Sequence, residues 1–418
     1  MGTLSRPRRG RYGGETAGAS GTALAVAMVV ALFLTESLVQ ILLPVGLQAS
    51  GAGSGLLIGV LLALAQGAGV VMAPPAALRG DRRGRGRVLF AGGLALAGCA
   101  AGLAAATSVS SAWTWAVPLL GYALARGSVV TTTLAVVARS GDRYRTQGLN
   151  GAAQRLSAAL AAALSVALLA RLGTGDAAGP GLWLVVLPAL TFALLARRVR
   201  GRADRDDPAV LTGTAGAVGG YACSLRMLRR EPALQASSLI NLNLNTVVLL
   251  GNSFYPIALD VPAERLPGLV LTLLLCRDLT SVAAGPFFGR VVARVGLRGA
   301  VAVSGACAVA GLAAVGLAGN AFAGVAAGAV LHGLAGATGI GATNLLATAE
   351  DTAGGTGLRL AATNYLNGAG MLVLPVVFGV LLDVSGPAGV FLAGACVSAA
   401  MLAGVLALTP AAPAARAR

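Results

Sequence analysis

Glu36, Arg126, Arg155, Arg277, Asp278 and His332 all sit inside stretches otherwise dominated by Ala, Gly, Val and Leu. At the centre of a bilayer each charge would cost roughly 2.5–3.5 kcal/mol on insertion scales, so such residues are functional candidates by default. Glu36 lies in "LFLTESLVQILLP", with Gln40 one turn further along the same face. A carboxyl group that alternates between water and a contact with Arg126, in "ALARGSVVTTT", would load and release a proton as its surroundings change. A permanent Glu36–Arg126 pair that only ties helices together is the other reading. Arg277 and Asp278 are adjacent in "LLLCRDLTS". Neighbours on a helix point about 100° apart. One of the two is therefore expected to line an interior cavity and the other to contact a neighbouring helix, unless the two form a structural ion pair that fixes packing.

Amides supply a second kind of chemistry. In "LINLNLNTVVLLGNSFYP", Asn241, Asn245 and Asn252 fall on one helical face, and Asn243 points away. Such a stripe suits a polar ligand. It also suits helix–helix contact, where hydrogen bonds average about 0.6 kcal/mol. Asn364 and Asn367 repeat the idea further along, and Asn150 and Gln154 accompany Arg155. His332, in "AVLHGLAG", reads as a packed or hydrogen-bonded core residue whose titration range keeps it as a second proton site. Arg126, Arg155 and Arg277 outnumber Glu36 and Asp278, which favours a neutral or anionic ligand at least as much as a cationic one.

Several chemistries are excluded by residue type. All 31 basic residues are arginine, so a phosphate-binding loop that needs its lysine and a lysine Schiff base are both ruled out. A single histidine supplies no metal cluster. The five cysteines are scattered, without a C-x-x-C, and read as small packing residues. No nucleophile–base constellation is visible, so neither an enzyme nor a cofactor is expected.

The elements that must position these residues are set by hydropathy. Of 418 residues 56% are hydrophobic and 11% charged, and the mean hydropathy is +0.80. Too little charge is present to cover a soluble protein of this size. Apolar runs long enough to cross a 30 Å hydrocarbon core occur at 22–47, 53–76, 88–107, 112–137, 148–171 and 181–198, then at 235–259, 266–292, 299–319, 322–348, 359–383 and 387–409. This predicts an all-α membrane protein of twelve transmembrane helices, because a lone span must satisfy its own backbone hydrogen bonds. The expected organisation is a disordered tail (1–21), a six-helix bundle (22–198), a central loop (199–234), a second six-helix bundle (235–409) and a short tail (410–418). With twelve spans nearly all the arginines fall on one side, including the nine-residue run "RGDRRGRGR" at 79–87. The positive-inside rule then makes both termini cytoplasmic. The same rule accounts for the net charge of +16 without nucleic acid as a partner. In the central loop "CSLRMLRREP" reads as a short amphipathic helix lying on anionic lipid at the cytoplasmic face.

The two halves echo each other. "GDRRGRGR" has a counterpart in "GRVVARVGLR" (289–298), and "GLNGAA" (148–153) in "GLRLAA" (357–362), at offsets of 212 and 209 residues. Near-equal offsets indicate a six-helix repeat. Six plus six spans with a long central loop, and Asp81, Arg82, Gly84, Arg85 and Arg87 at the places of a G-x-x-x-D-R-x-G-R-x-R pattern, resemble the major facilitator superfamily. Ala77 replaces the leading glycine, and the second copy keeps Arg294 but has Ala293 in place of the aspartate. The proline-containing antiporter signature of the fifth span is absent.

The resemblance implies a secondary active transporter of the cell membrane. It would act as a monomer, moving a small organic molecule by rocking two bundles about a midplane site. Glu36, Arg126, Asp278 and His332 would serve coupling. Gln40, Asn241, Asn245, Asn252, Arg277, Asn364 and Asn367 would contact substrate. Asp81, Arg82, Gly84, Arg85, Arg87 and Arg294 would form a cytoplasmic latch. With no ATP site, an ion gradient would supply the energy, and proton-coupled export is the expected mode. An importer or uncoupled facilitator of the same fold is one alternative; a non-transporting membrane scaffold or sensor is another.

Overall fold

The structure, a computed structural model, describes residues 19–49, 63, 67–109, 112–138, 143–199, 216–258, 266–319, 321–348 and 355–409. Nearly all of the N-terminal tail, the C-terminal tail, most of the span expected at 53–76 and the first part of the central loop lie outside the described residues. Every regular element among the described residues is a helix. In chain order these are α1 (Ala19–Ala49), α2 (Gly69–Arg83), α3 (Arg85–Ala106), α4 (Ala112–Ala138), α5 (Arg143–Val199), α6 (Gly216–Arg230), α7 (Pro232–Ala258), α8 (Leu266–Ala284), a 3-10 turn (Gly285–Phe287), α9 (Phe288–Ala318), α10 (Phe322–Ala347) and α11 (Thr356–Leu408).

Nine stretches among the described residues are long and apolar enough to cross a membrane. Two of them, 268–318 and 356–408, have 51 and 53 residues, more than twice what one crossing needs. α5 holds two of the nine, 144–168 and 179–199. Glycines with positive φ, a conformation open to a residue without Cβ, interrupt the helices. Gly84 (φ 100°) separates α2 from α3, and Gly296 (φ 72°), 212 residues later, breaks α9. The repeat seen in the sequence thus has a backbone counterpart at the same offset.

The apolar interior divides into separate cores. Met28, Leu32, Leu89, Leu96, Trp115, Leu119 and Phe192 pack together from α1, α3, α4 and α5. Leu250, Tyr255, Leu312, Phe378 and Phe391 do so from α7, α9 and α11. Outside these cores large apolar side chains stay bare: Val117 is 77% exposed, Leu317 76% and Val384 79%. An apolar rim of this kind is a surface for lipid.

The halves meet along two seams. In the first, α2 runs against α11, where Gly368 lies against Val70 and Gly67 against Leu372. In the second, α5 runs against α8 and α10. Small residues let helix backbones approach closely, which is how helices associate where lipid removes the hydrophobic drive.

The central helix differs from expectation. α6 spans Gly216–Arg230, and its apolar side is covered by protein rather than lipid. Cys223 and Met227 pack with Ala73, Ala77, Leu78, Leu358 and Ala361 of α2 and α11. Tyr221 Oη donates to the Val71 carbonyl, and Ser224 Oγ donates to Leu358 O at 3.3 Å. α6 therefore lies over the first seam and touches both halves. Arg226, Arg229 and Arg230 on its other side are exposed. The heptad-like spacing of Tyr221, Ser224 and Leu228 could not reveal which apolar surface would cover that face.

Candidate functional site

Two glycines set the geometry of the second seam. A Cβ at Gly148 would sit 2.5 Å from the Gly285 carbonyl oxygen, so α5 and the end of α8 touch backbone to backbone. Seven residues further along α5 is Arg155; seven residues back along α8 is Asp278. Seven residues are close to two full turns, so both side chains return to the contacting face about 10 Å from the crossing. They meet there: Arg155 Nη1 lies 3.4 Å from Asp278 Oδ1.

Asp278 has a second and tighter partner. Arg277 Nε donates to Oδ1 at 2.9 Å and Nη2 to Oδ2 at 3.0 Å. This is the arrangement of the ion-pair alternative, in which the two neighbours hold each other. Their Cα–Cβ bonds diverge, but the long arginine stem curls its planar fork back onto the adjacent carboxylate. Arg277 Nη1 also donates to Asn252 Oδ1 at 2.8 Å, which joins α7 to the network. The side chains of Arg277 and Asp278 are 4% and 1% exposed, that of Arg155 11%.

The other charge pair stays within the first half. Arg126 Nη2 of α4 donates to Glu36 Oε1 of α1, and Gln40 Nε2 donates to the same oxygen at 3.1 Å. Glu36 Oε2 is buried without a hydrogen-bond partner. The Glu36 side chain is 9% exposed and that of Arg126 23%, so the pair is reachable from its arginine end.

The amides form a chain between α7 and α11. Asn245 Nδ2 donates to Asn241 Oδ1 at 3.0 Å, and Asn241 Nδ2 donates to Asn364 Oδ1 at 3.2 Å. Asn367 lies one turn beyond Asn364, its Oδ1 buried and unpartnered. Asn243 faces away, as its register requires, and accepts from Ser398 Oγ at 2.7 Å. His332 hydrogen-bonds to neither charge cluster among the described residues. It is 1% exposed, shares a 2.6 Å hydrogen bond through Nδ1 with Tyr255 Oη, and stacks on that ring. Gly311 of α9 leaves room for its imidazole, since a Cβ there would lie 2.7 Å from Nε2. This is the interior of the second half rather than a seam.

At the latch, Asp81 takes Arg85 Nη2 at 2.6 Å and Nε at 3.2 Å. The backbone N–H of Leu358 donates to Asp81 Oδ2 at 3.3 Å, so the carboxylate of α2 caps the start of α11 across the first seam. Gly84 supplies the turn that folds Arg85 back. Arg82 is partly buried; Arg87 and Arg294 are exposed and join no ion pair among the described residues. Two further ties carry no signal in the sequence, because both are amides or charges at helix ends. Asn344 Nδ2 of α10 donates to Gln147 Oε1 of α5 at 2.9 Å, across the second seam. Arg359 holds Glu231 at 2.6 Å, between α11 and the residue joining α6 to α7.

No protein-family profile matches this sequence, and no curated protein matches it. Solved structures do. The human organic anion transporter MFSD10 (TETRAN) superposes with a TM-score of 0.66 over 92% of this chain and 98% of its own, at 15% identity. A variant of the nucleoside transporter NupG gives 0.68 over 93% and 100%, at 12% identity. The chain has the fold of the major facilitator transporters. Two helical halves packed along two seams are the form that fold takes here, in a multi-pass, all-helical chain with an apolar rim.

Proposed function

We propose that this protein is a secondary active transporter that moves a small organic molecule by alternating access, in exchange for protons and in the outward direction. The observation that carries the reading is the Glu36–Arg126 pair: a buried carboxylate with one unpartnered oxygen, held by an arginine that remains open to solvent. A proton reaching Glu36 from that side releases Arg126 and Gln40, and its departure restores them. Both groups belong to the first half, so this exchange changes the inner lining without breaking a core. The reading takes the chain as twelve crossings in two six-helix bundles, with the end that carries Asp81, Gly148 and Leu358 facing the cytoplasm and closed. The fold leaves the substrate open, since one structural neighbour is an organic anion transporter and the other a nucleoside transporter.

Vesicle flux with purified protein tests the coupling. A solute retained by the protein in a stabilisation screen is expected to move only while a proton gradient exists. Glu36→Gln is expected to fold normally and lose gradient-driven movement. Flux that survives complete collapse of the gradient, or a Glu36→Gln protein with unchanged coupling, overturns the proposal.

A further inference from the structure

The buried network of the second seam has one positive charge too many. Arg155 and Arg277 share the single carboxylate of Asp278. Asn252 adds only an amide oxygen. Asp278 does not divide itself evenly: both of its oxygens serve Arg277 at 2.9 and 3.0 Å, and Arg155 receives one oxygen at 3.4 Å, beyond the usual range for a charge-assisted bond. Arg155 is thus the weakly satisfied member. Its guanidinium lies flat on α10, because a Cβ at Gly336 would be 3.0 Å from Nη2, 3.2 Å from Nε and 3.3 Å from Cζ, nearly equidistant from the atoms of one planar face. A glycine under the face lets the planar group lie against the helix backbone. At Gly251 of α7 a Cβ would lie 3.0 Å from Arg277 Nη1. Tyr255 and His332 are the other titratable groups within the field of this cluster. Neither is a carboxylate, and neither supplies the missing negative charge.

We propose that Arg155, backed by Arg277, is the docking point for an anionic group of the transported molecule, a carboxylate or a group of like geometry. The planar fork of arginine fits such a group through two parallel hydrogen bonds. The inference rests on the transporter reading and adds the substrate's charge to it. It also gives binding a structural consequence. The incoming anion competes with Asp278 for Arg155, and that contact is the one charge pair between α5 and α8 among the described residues. Docking therefore loosens the second seam at its middle and leaves the Arg277–Asp278 pair, on a single helix, in place.

The test uses the purified full-length protein and thermal stabilisation by matched small carboxylic acids and their primary amides, benzoate with benzamide among them. Acids are expected to raise the melting temperature where their amides do not. Arg155→Lys, which keeps the charge and loses the fork, is expected to weaken acid binding roughly tenfold or more. Asp278→Asn removes the internal competitor and is expected to tighten it, an effect that a purely structural ion pair does not produce. Arg155→Gln, which removes the excess charge and leaves the Arg277–Asp278 pair whole, is expected to fold and bind no acid. Amides matching acids, no member of the panel stabilising the wild type, or acids stabilising Arg155→Gln as well as the wild type would overturn the site. Acid binding without flux in vesicles would instead overturn the transporter reading and leave the site standing. Flux of an uncharged solute that Arg155→Lys leaves untouched would do the reverse.

Discussion

The two seams join equivalent helices of a repeated fold, yet they are built in opposite ways. The α2–α11 seam is charged at its end and apolar within. Asp81 binds Arg85 and the N–H of Leu358 there, and Gly368 and Val70 fill the interior. The α5–α8 seam is closed by glycine backbone at its end and charged within. Gly148 meets Gly285 where the other seam has its carboxylate, and Arg155 meets Asp278 two turns inside. The exchange is visible position by position. Ala293 stands 212 residues after Asp81, and Asn364 stands 209 residues after Arg155. A repeat preserves where helices touch, because the glycines and the turn at Gly84 and Gly296 are fixed by backbone geometry. It does not preserve where charge is spent, because one charge at an end suffices to hold and one in the interior suffices to recognise.

Four tests, with five substitutions between them, would break or sharpen this contrast. The largest effect is expected from Asp81→Asn, which leaves Arg85 buried beside a neutral partner. Breaking a buried pair costs about 3–5 kcal/mol, and the lower end applies because the amide oxygen still accepts from Leu358. Spin labels across α2 and α11 should separate, and unchanged distances would mean the carboxylate does not hold that seam. Gly148→Val comes next, at about 2 kcal/mol, since overpacking a tight contact typically costs 1–3 kcal/mol. Labels on α5 and α8 should move apart while those on the first seam stay; a shift in both would show the seams are not independent. Gly368→Ala should cost about 1 kcal/mol by the same mechanism, and Val70→Ala should restore it. A double-mutant cycle reads that coupling directly, and additive effects would remove the pair from the seam. The smallest effect, about 0.5–1 kcal/mol in thermal unfolding, is expected for Ser224→Ala, which removes one neutral hydrogen bond from α6 to α11.

Much of the scaffold was legible in the amino-acid sequence because it depends on local quantities. Run length and hydropathy marked an all-helical chain with many stretches able to cross a membrane, nine among the described residues, and offsets between short motifs pointed to the backbone breaks at Gly84 and Gly296. The Glu36–Arg126 pair followed from two charges placed in helices that line the interior of the resembled fold. What the sequence did not yield depends on distances between segments far apart in the chain. Nothing local tells Gln147 that it will face Asn344, or α6 that α2 and α11 will cover its apolar side. Two readings of Arg277 and Asp278 stayed open because helical angle fixes where a Cβ points but not where a four-bond stem ends. Arg155 stood among the intramembrane charges without a role, since its role depends on how poorly its partner serves it.

The touching glycines of the second seam have a mechanical consequence. Gly148 and Gly285 touch backbone to backbone, with Arg155 and Asp278 about 10 Å along the helices from them. A fulcrum with an arm of that length converts rotation into displacement. Rocking of about 10° about the glycines carries the ion pair apart by about 2 Å, which takes a contact already at 3.4 Å out of hydrogen-bonding range. The Arg277–Asp278 fork travels with its own helix and feels none of this. A small tilt is thereby read as an all-or-none chemical change at one guanidinium.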